Sequence, residues 1–458
     1  MKSAYFIGIG GIGMSALAQM LQHDGVGVSG SDRSASPVTN LLESKGIKVI
    51  VGQKAENVPA DAGMVIYSDA VSEDNPERVR AREFNIPQLS YFTMLGHVSL
   101  GKRTVAVAGT HGKTTTTGML AKILQDAEMS PTAIIGSLVK DFGSNYLHGD
   151  SNLFVVEACE YRDHLLELSP QVLVITNLEW DHTDYFPSFQ ALQETFKRAI
   201  KHVPADGAII TDPSNLNIAP LLASAKASIV DYTKEPAYEL RMPGEFNQMN
   251  ARAAAAAARV VFPTISDTTI ASALANFQGT WRRFEYKGKT KNGADVYDDY
   301  AHHPTAVRET LHALREARKA RKETLRSEES PYSEESPCDE VTPYGSRKVS
   351  PRLRGKIFVA FHPHLYSRTR DLLDEFATSF SEADKVFIAP IFAAREADDG
   401  SISSEILAEH IRAAGVDATA IDSFEAIEQA LSEAKQGDVI ITMGAGDIYK
   451  VADALVRK

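Results

Sequence analysis

Cysteine is scarce in this chain: two residues in 458, Cys159 and Cys338, stand in unrelated stretches. Two such thiols cannot make a disulfide framework, and the scarcity fits a reducing compartment, so cytoplasmic residence is expected. Long apolar runs are also lacking, and no stretch approaches the roughly 20 residues that a membrane helix needs, so no membrane insertion is expected. The opening Met1-Lys-Ser-Ala-Tyr-Phe-Ile runs into a strand pattern rather than a secretory signal. Positive charge is in deficit: 48 Lys and Arg face 60 Asp and Glu, for a formal net charge of −12, and the cations are dispersed. That balance argues against a nucleic-acid partner, while a small anion in a local basic pocket is still allowed.

What is present is a globular composition, 43% hydrophobic and 24% charged, long enough at roughly 150 residues per domain for about three cores. Strands alternating with helical runs throughout predict an α/β fold in three domains. The expected divisions are a Rossmann-like domain at 1–100, a central P-loop ATPase-like α/β domain at 101–283, and a C-terminal Rossmann-like α/β domain at 284–458.

The centre of that organisation is Val105-Ala-Val-Ala-Gly109-Thr110-His111-Gly112-Lys113-Thr114-Thr115. A β-branched run feeds a glycine-punctuated turn and then a helical pattern, which is the grammar of a phosphate cradle. Glycines let backbone N–H groups approach a polyphosphate and the helix N-terminus adds positive potential. Lys113 is expected to reach the terminal phosphates, and the Thr114 hydroxyl to bind Mg²⁺. The spacing is shorter than G-x-x-x-x-G-K-[ST], because Val107 stands five before Gly112.

The N-terminus carries a second glycine loop, Gly8-Ile-Gly10-Gly11-Ile12-Gly13, after a strand expected at 4–9, with Asp32 about twenty residues on. Alone this reads as an NAD(P) fingerprint and favours an oxidoreductase, yet the same geometry holds any diphosphate. Ser68, at the end of another strand, either contacts a ligand or caps the following turn. In the central stretch, apolar strands end in Glu157-Ala-Cys-Glu160 and in Thr176-Asn177-Leu-Glu-Trp-Asp181-His182. Strand-end acids and imidazoles beside a phosphate loop suit a metal nucleotide, which favours Glu157 and His182 as Mg²⁺ ligands. Asn247 and Asn250 open an alanine-rich helix, where they either pack in a core or read an adenine edge. Arg282-Arg283-Phe-Glu285 marks a boundary, followed by Asp298-Asp299-Tyr-Ala-His302-His303-Pro304 and a helical run from Thr305 to Lys322. Residues 322–355, rich in Ser, Pro and charge, read as a disordered or solvent-exposed insertion.

Taken together, Gly8 to Ser15, Gly109 to Thr115, Thr176 to His182, Arg282 to Glu285, Asp298 to Pro304, His364-Leu-Tyr366-Ser-Arg368-Thr369 and Met443-Gly-Ala-Gly-Asp447 resemble the Mur ligases of peptidoglycan synthesis. The resemblance spans the chain outside the insertion. It implies an ATP-dependent acid–amino-acid ligase with Mg²⁺, acting on UDP-N-acetylmuramate and L-alanine through an acyl phosphate, as a monomer or homodimer in the cytoplasm. It assigns Gly109, Thr110, Gly112, Lys113, Thr114, Thr115, Asn247, Asn250, Arg283 and Asp299 to the nucleotide. Thr114, Glu157 and His182 are assigned to the metal. Gly10, Gly11, Ile12, Ser68, His182 and Arg368 fall to the substrates, and Lys113, His111 and His303 to catalysis. A nearer alternative within the same resemblance joins a preformed tripeptide to the sugar nucleotide. The run at 157–161 departs from the E-A-D-E-S pattern, leaving Glu160 without an assigned role, and Phe246 stands where many members carry His.

Overall fold

A computed structural model describes residues 1–328, 355–394, 396–398 and 400–457. Cys338 and most of the stretch read as an insertion lie outside these residues. The described chain forms two compact units, Met1–Arg283 and Phe284–Lys458.

The first unit carries two sheets. One contains β1 (Ser3–Ile7), β2 (Gly27–Asp32), β3 (Lys48–Val51), β4 (Val65–Tyr67) and β5 (Gln88–Ser90), all parallel, in the order β3-β2-β1-β4-β5. β1 stops at Ile7, short of the expected residue 9, because Gly8 leaves the strand with φ +81°. β2 runs to Asp32 and so delivers that carboxylate at the strand end.

The other sheet contains β6 (Arg103–Ala108), β7 (Thr132–Val139), β8 (Ser144–Leu147), β9 (Leu153–Glu157), β10 (Val172–Ile175), β11 (Ala208–Thr211) and β12 (Ser228–Asp231). Its order is β12-β11-β10-β6-β9-β7-β8, with only the β7–β8 pair antiparallel. In each sheet the strand that comes first in the sequence, β1 or β6, has later strands on both sides. The loop leaving it therefore opens at a topological switch point, where α/β sheets bind ligands.

Why β6 is a central strand follows from its residues. Val105 and Val107 face one apolar layer and Ala106 and Ala108 the other, all at most 1% exposed, as a strand covered on both faces requires. The first layer is made by helices Lys113–Asp126 and Glu245–Val261. In the latter, Ala251 and Ala253 to Ala258 are all buried, and their small side chains let the two helices approach closely.

Helix Ile12–His23 has two buried faces. Met14, Leu17, Ala18 and Leu21 pack on the first sheet, whereas Ala16 and Met20 join the core of the second. Polar side chains fix that second contact. Gln19 Nε2 donates to Asn145 Oδ1 at 3.0 Å, Ser144 Oγ to Gln19 Oε1 at 2.9 Å, and Asn145 Nδ2 to Ser15 Oγ at 2.9 Å. Asn145 is fully buried, so breaking this network strands polar groups at a cost of about 1–3 kcal/mol each.

The second unit has β13 (Glu285–Lys289), β14 (Asp295–Asp299), β15 (Ile357–Phe361), β16 (Lys385–Ile388), β17 (Ala418–Ala420) and β18 (Val439–Met443). They lie in the order β13-β14-β18-β15-β16-β17, parallel except for the β13–β14 hairpin. Helix Pro304–Glu328 continues six residues beyond the expected end at Lys322, so the polar composition there is compatible with helix rather than a break.

Candidate active site

The loop after β6 is held by its neighbour strand. Thr176 Oγ1 donates to His111 O at 2.6 Å, and Asn177 clamps His111 from both sides, Oδ1 accepting from its N–H at 2.9 Å and Nδ2 donating to its carbonyl at 3.1 Å. Thr110 Oγ1 accepts from Glu179 N at 2.8 Å and donates to Glu179 O at 3.0 Å. His111 Nε2 lies 3.1 Å from Glu179 Oε2. Asn177 and Glu179, which carried no assignment, are thus what shapes the cradle.

Two glycines are obligatory here. Gly109 has φ +127° and a Cβ on it would meet Thr176 Oγ1 at 2.2 Å; Gly112 has φ +81° and a Cβ would meet Asn250 Oδ1 at 2.1 Å. Gly112→Ala is therefore expected to cost about 1–3 kcal/mol of stability through backbone strain and displacement of Asn250. Chemical denaturation measures this, and a variant as stable as the parent would contradict the placement of Asn250.

Asn250 itself lies against the phosphate loop, where its Oδ1 also accepts from Thr116 Oγ1 at 3.3 Å. Asn247 donates to Pro243 O at 2.7 Å, bracing the start of its own helix. Both amides are buried.

Lys113 is the first residue of helix Lys113–Asp126. Its Nζ is folded onto the carbonyls of Gly109 at 2.5 Å and Thr110 at 3.2 Å, and onto both oxygens of Glu160 at 3.0 and 3.1 Å. Glu160, unassigned from sequence, is 1% exposed and also lies 3.6 Å from His182 Nε2. Burial alone would raise its carboxyl, but Lys113 and then His182 outweigh burial and hold it below the ordinary carboxylate value. Burial would likewise lower Lys113, and Glu160 leads the charges that raise it instead. The intervening Cys159 is pushed up to about 12, mainly by burial, and is a neutral thiol.

The proposed metal ligands surround this pair. Glu157, at the end of β9, accepts from Gly136 N at 2.8 Å and acts electrostatically on Lys113. Thr114 is buried, and Arg283, the last residue of the first unit, donates from Nη2 to its Oγ1 at 3.4 Å. His182 holds a left-handed backbone, φ 53°, beside the ring of Tyr161; its Nδ1 is buried without a partner among the described residues. A buried hydroxyl, a strand-end carboxylate and an orphaned imidazole nitrogen are donors that fit a divalent cation. Thr115 is buried behind them in the first helical turn.

At the N-terminal loop, Gly10 N donates to Asp32 Oδ2 at 2.8 Å and Gly11 N to Gly8 O at 3.1 Å. Asp32 is therefore bound to the loop itself, a different use from the ribose contact of a dinucleotide fold. Ile12 opens the helix, whose first-turn amides are the donors left for an anion. Ser68 lies against Gly8, and its Oγ accepts from Ala70 N at 3.4 Å, the turn-capping geometry.

In the second unit, Asp299 ends β14 and accepts from Phe284 N at 2.6 Å and Ala301 N at 2.8 Å. His303 precedes helix Pro304–Glu328, and its Nδ1 accepts from Thr305 N at 3.3 Å. Arg368 is 1% exposed in helix Tyr366–Asp371, with Nη1 3.0 Å from His364 Nδ1.

Three family models match the chain: the Mur ligase family catalytic domain over residues 3–103, the Mur ligase middle domain over 107–238, and the Mur ligase glutamate ligase domain over 282–325 and 345–446. The chain is 37% identical over 488 residues to UDP-N-acetylmuramate–L-alanine ligase of Acetivibrio thermocellus, covering 100% of this chain and 96% of that protein. It is 35% identical over 486 residues to the protein of the same name from Clostridium botulinum, with coverages of 100% and 98%. The crystal structure of UDP-N-acetylmuramate-alanine ligase from Thermotoga maritima superposes with a TM-score of 0.77 at 25% identity, over 100% of this chain and 99% of that one.

Proposed function

Because the chain belongs to the Mur ligase family, we propose that it joins L-alanine to the carboxylate of UDP-N-acetylmuramate at the expense of ATP, in the cytoplasm, during peptidoglycan precursor synthesis. The observation that supports this most is the full-length match to relatives bearing that activity in their names, 35–37% identical across 100% of the chain.

The site's chemistry suits such a ligation. A carboxylate is a poor electrophile, and transfer of the γ-phosphoryl group of ATP to one of its oxygens, with ADP leaving, gives it a good leaving group. The amine of alanine then attacks the acyl carbon. The tetrahedral species collapses to an amide, and inorganic phosphate departs with the former carboxylate oxygen while the amine loses a proton. Negative charge accumulates at the transferred group throughout, and Lys113 with the first-turn amides at 112–115 is positioned to offset it. Mg²⁺, held by Thr114, Glu157 and His182, would supply further charge neutralisation at the phosphates. Glu160 keeps Lys113 protonated and aimed across the loop. Asn250 fixes the loop at Gly112, and His111, held by Glu179, is assigned to the substrate side. The first-turn amides after Gly11 are assigned to the diphosphate of the sugar nucleotide. In the second unit, the buried guanidinium of Arg368 is assigned to the carboxylate of the incoming amino acid.

Phosphate release from Mg-ATP, measured with UDP-N-acetylmuramate and each amino acid or tripeptide in turn, tests the reading. Release is expected to require the sugar nucleotide and to be strongest with L-alanine. Release indifferent to the sugar nucleotide sinks the ligase assignment, and release only with a preformed tripeptide moves it to the recycling reaction.

A further inference from the structure

In a glycine fingerprint the third glycine normally permits close packing of helix on strand. Gly13 has another cause: a Cβ there would lie 2.5 Å from Cζ and 2.6 Å from the hydroxyl of Tyr91. Tyr91 begins helix Tyr91–Ser99 directly after β5, and Ser90 caps that helix by accepting from Thr93 N at 3.1 Å. The ring packs against the cores of both sheets of the first unit, so its place is set by apolar contact. Its hydroxyl makes no hydrogen bond to another described residue and lies beside Gly13, in the first turn of helix Ile12–His23. Burial first, and then the charge of Glu157, push this phenol well above its ordinary range, so it is a proton donor at any physiological pH.

The surroundings repeat the pattern. The next residue, Phe92, stacks on His164 with ring centroids 3.6 Å apart, and His164 Nε2 lies 3.6 Å from Asp69 Oδ1. His164 Nδ1 and Asp69 Oδ2 are both buried without partners among the described residues. Unsatisfied polar atoms therefore gather around the start of helix Tyr91–Ser99, near the strand ends of the first sheet and the turn after β9. Groups left so are costly in a folded protein unless something polar meets them.

We propose that Tyr91 contacts the sugar nucleotide, its hydroxyl donating a hydrogen bond to an anionic oxygen of UDP-N-acetylmuramate beside the first turn of helix Ile12–His23. This rests on the ligase reading above. The oxygen belongs either to the diphosphate or to the muramoyl carboxylate, which share the chemistry a neutral donor at a helix N-terminus recognises.

Tyr91→Phe keeps the ring and its packing and removes only the donor. Calorimetric affinities for UDP and for UDP-N-acetylmuramate, the KM for ATP and the thermal midpoint are compared with the parent. Affinity for UDP-N-acetylmuramate is expected to fall about 10-fold or more, as for a lost hydrogen bond to a charged group, with the ATP KM and the midpoint unchanged. An equal loss for UDP assigns the oxygen to the diphosphate; a loss confined to UDP-N-acetylmuramate assigns it to the carboxylate. Unchanged affinity for both overturns the proposal, since a purely packing tyrosine tolerates this change. A parent protein that binds no UDP-N-acetylmuramate overturns the ligase reading and this inference together, whereas a parent that binds it while Tyr91→Phe binds equally well overturns only the inference.

Discussion

Lys113→Ala is expected to lower phosphate release by at least about 10³-fold while affinity for UDP-N-acetylmuramate stays within a few-fold. The side chain emerges at the first turn of its helix, and its ammonium is already surrounded by the Gly109 and Thr110 carbonyls and Glu160. It is the cation best placed to follow charge moving from the nucleotide to a carboxylate, and alanine offers nothing in its place. Arginine is not expected to rescue it, because a planar fork cannot occupy the position of a compact ammonium ringed by acceptors. With the sugar nucleotide proposed to sit on the first sheet, its binding is not expected to depend on Lys113. Stopped assays of phosphate release and calorimetric titration of the sugar nucleotide separate the two effects; equal losses would show that the loop after β6 and the loop after β1 have been assigned the wrong ligands.

Glu160→Gln is expected to remove about 3 kcal/mol of stability and about 100-fold in turnover, the first because it leaves a buried ammonium without its anion, the second because it frees that ammonium from its position. Glu160 is 1% exposed and Lys113 14%, so solvent does little to screen the pair. The sign of the pH dependence follows from the carboxyl being held below its ordinary value. The pair's contribution is complete above the unfolded carboxylate range and is lost as pH falls through the lower native value. The parent is therefore expected to lose stability toward acid through this group, and Glu160→Gln to flatten that part of the profile. Urea midpoints measured from neutral to acid pH check it. A parallel offset between parent and variant at every pH would mean that the carboxylate titrates the same way folded and unfolded. Lys113→Met combined with Glu160→Leu should recover most of the stability and none of the turnover, since a buried pair replaced by apolar groups is often near neutral.

The glycine loops, the strand ends and the two-layered character of β6 were legible because each rests on local spacing. Gly109 and Gly112 announce a turn, and Val105 to Ala108 announce a strand covered on both sides. Glu160 was not legible. It is buried just ahead of a left-handed turn at Arg162 and Asp163, which the spacing of the acids does not announce. An acid three positions beyond Glu157 was visible, but nothing in the spacing says that it folds back onto Lys113 rather than into solvent. Asp32 shows the opposite failure, since its distance from Gly10 fits a ribose contact and the structure uses it to hold the loop. By sequence Asn250 fits either an adenine contact or a core amide; it packs on the phosphate loop at Gly112, a contact between residues 138 positions apart in the chain. Asn145 and Gln19 are 126 positions apart, and no local pattern could pair them.

Those last two residues limit how this protein can be cut and recombined. Helix Ile12–His23 belongs by sequence to the first sheet, yet Ala16 and Met20 sit in the core of the second and Gln19 is bonded across to β8. A fragment ending near residue 100 would present that helix face to water, with apolar and amide groups both unmatched. A hybrid that grafts the first sheet of one relative onto the rest of another must therefore exchange Ser144 and Asn145 along with it. The seam for such transplants follows the surface of this helix and does not coincide with the peptide bond where one sheet ends and the next begins.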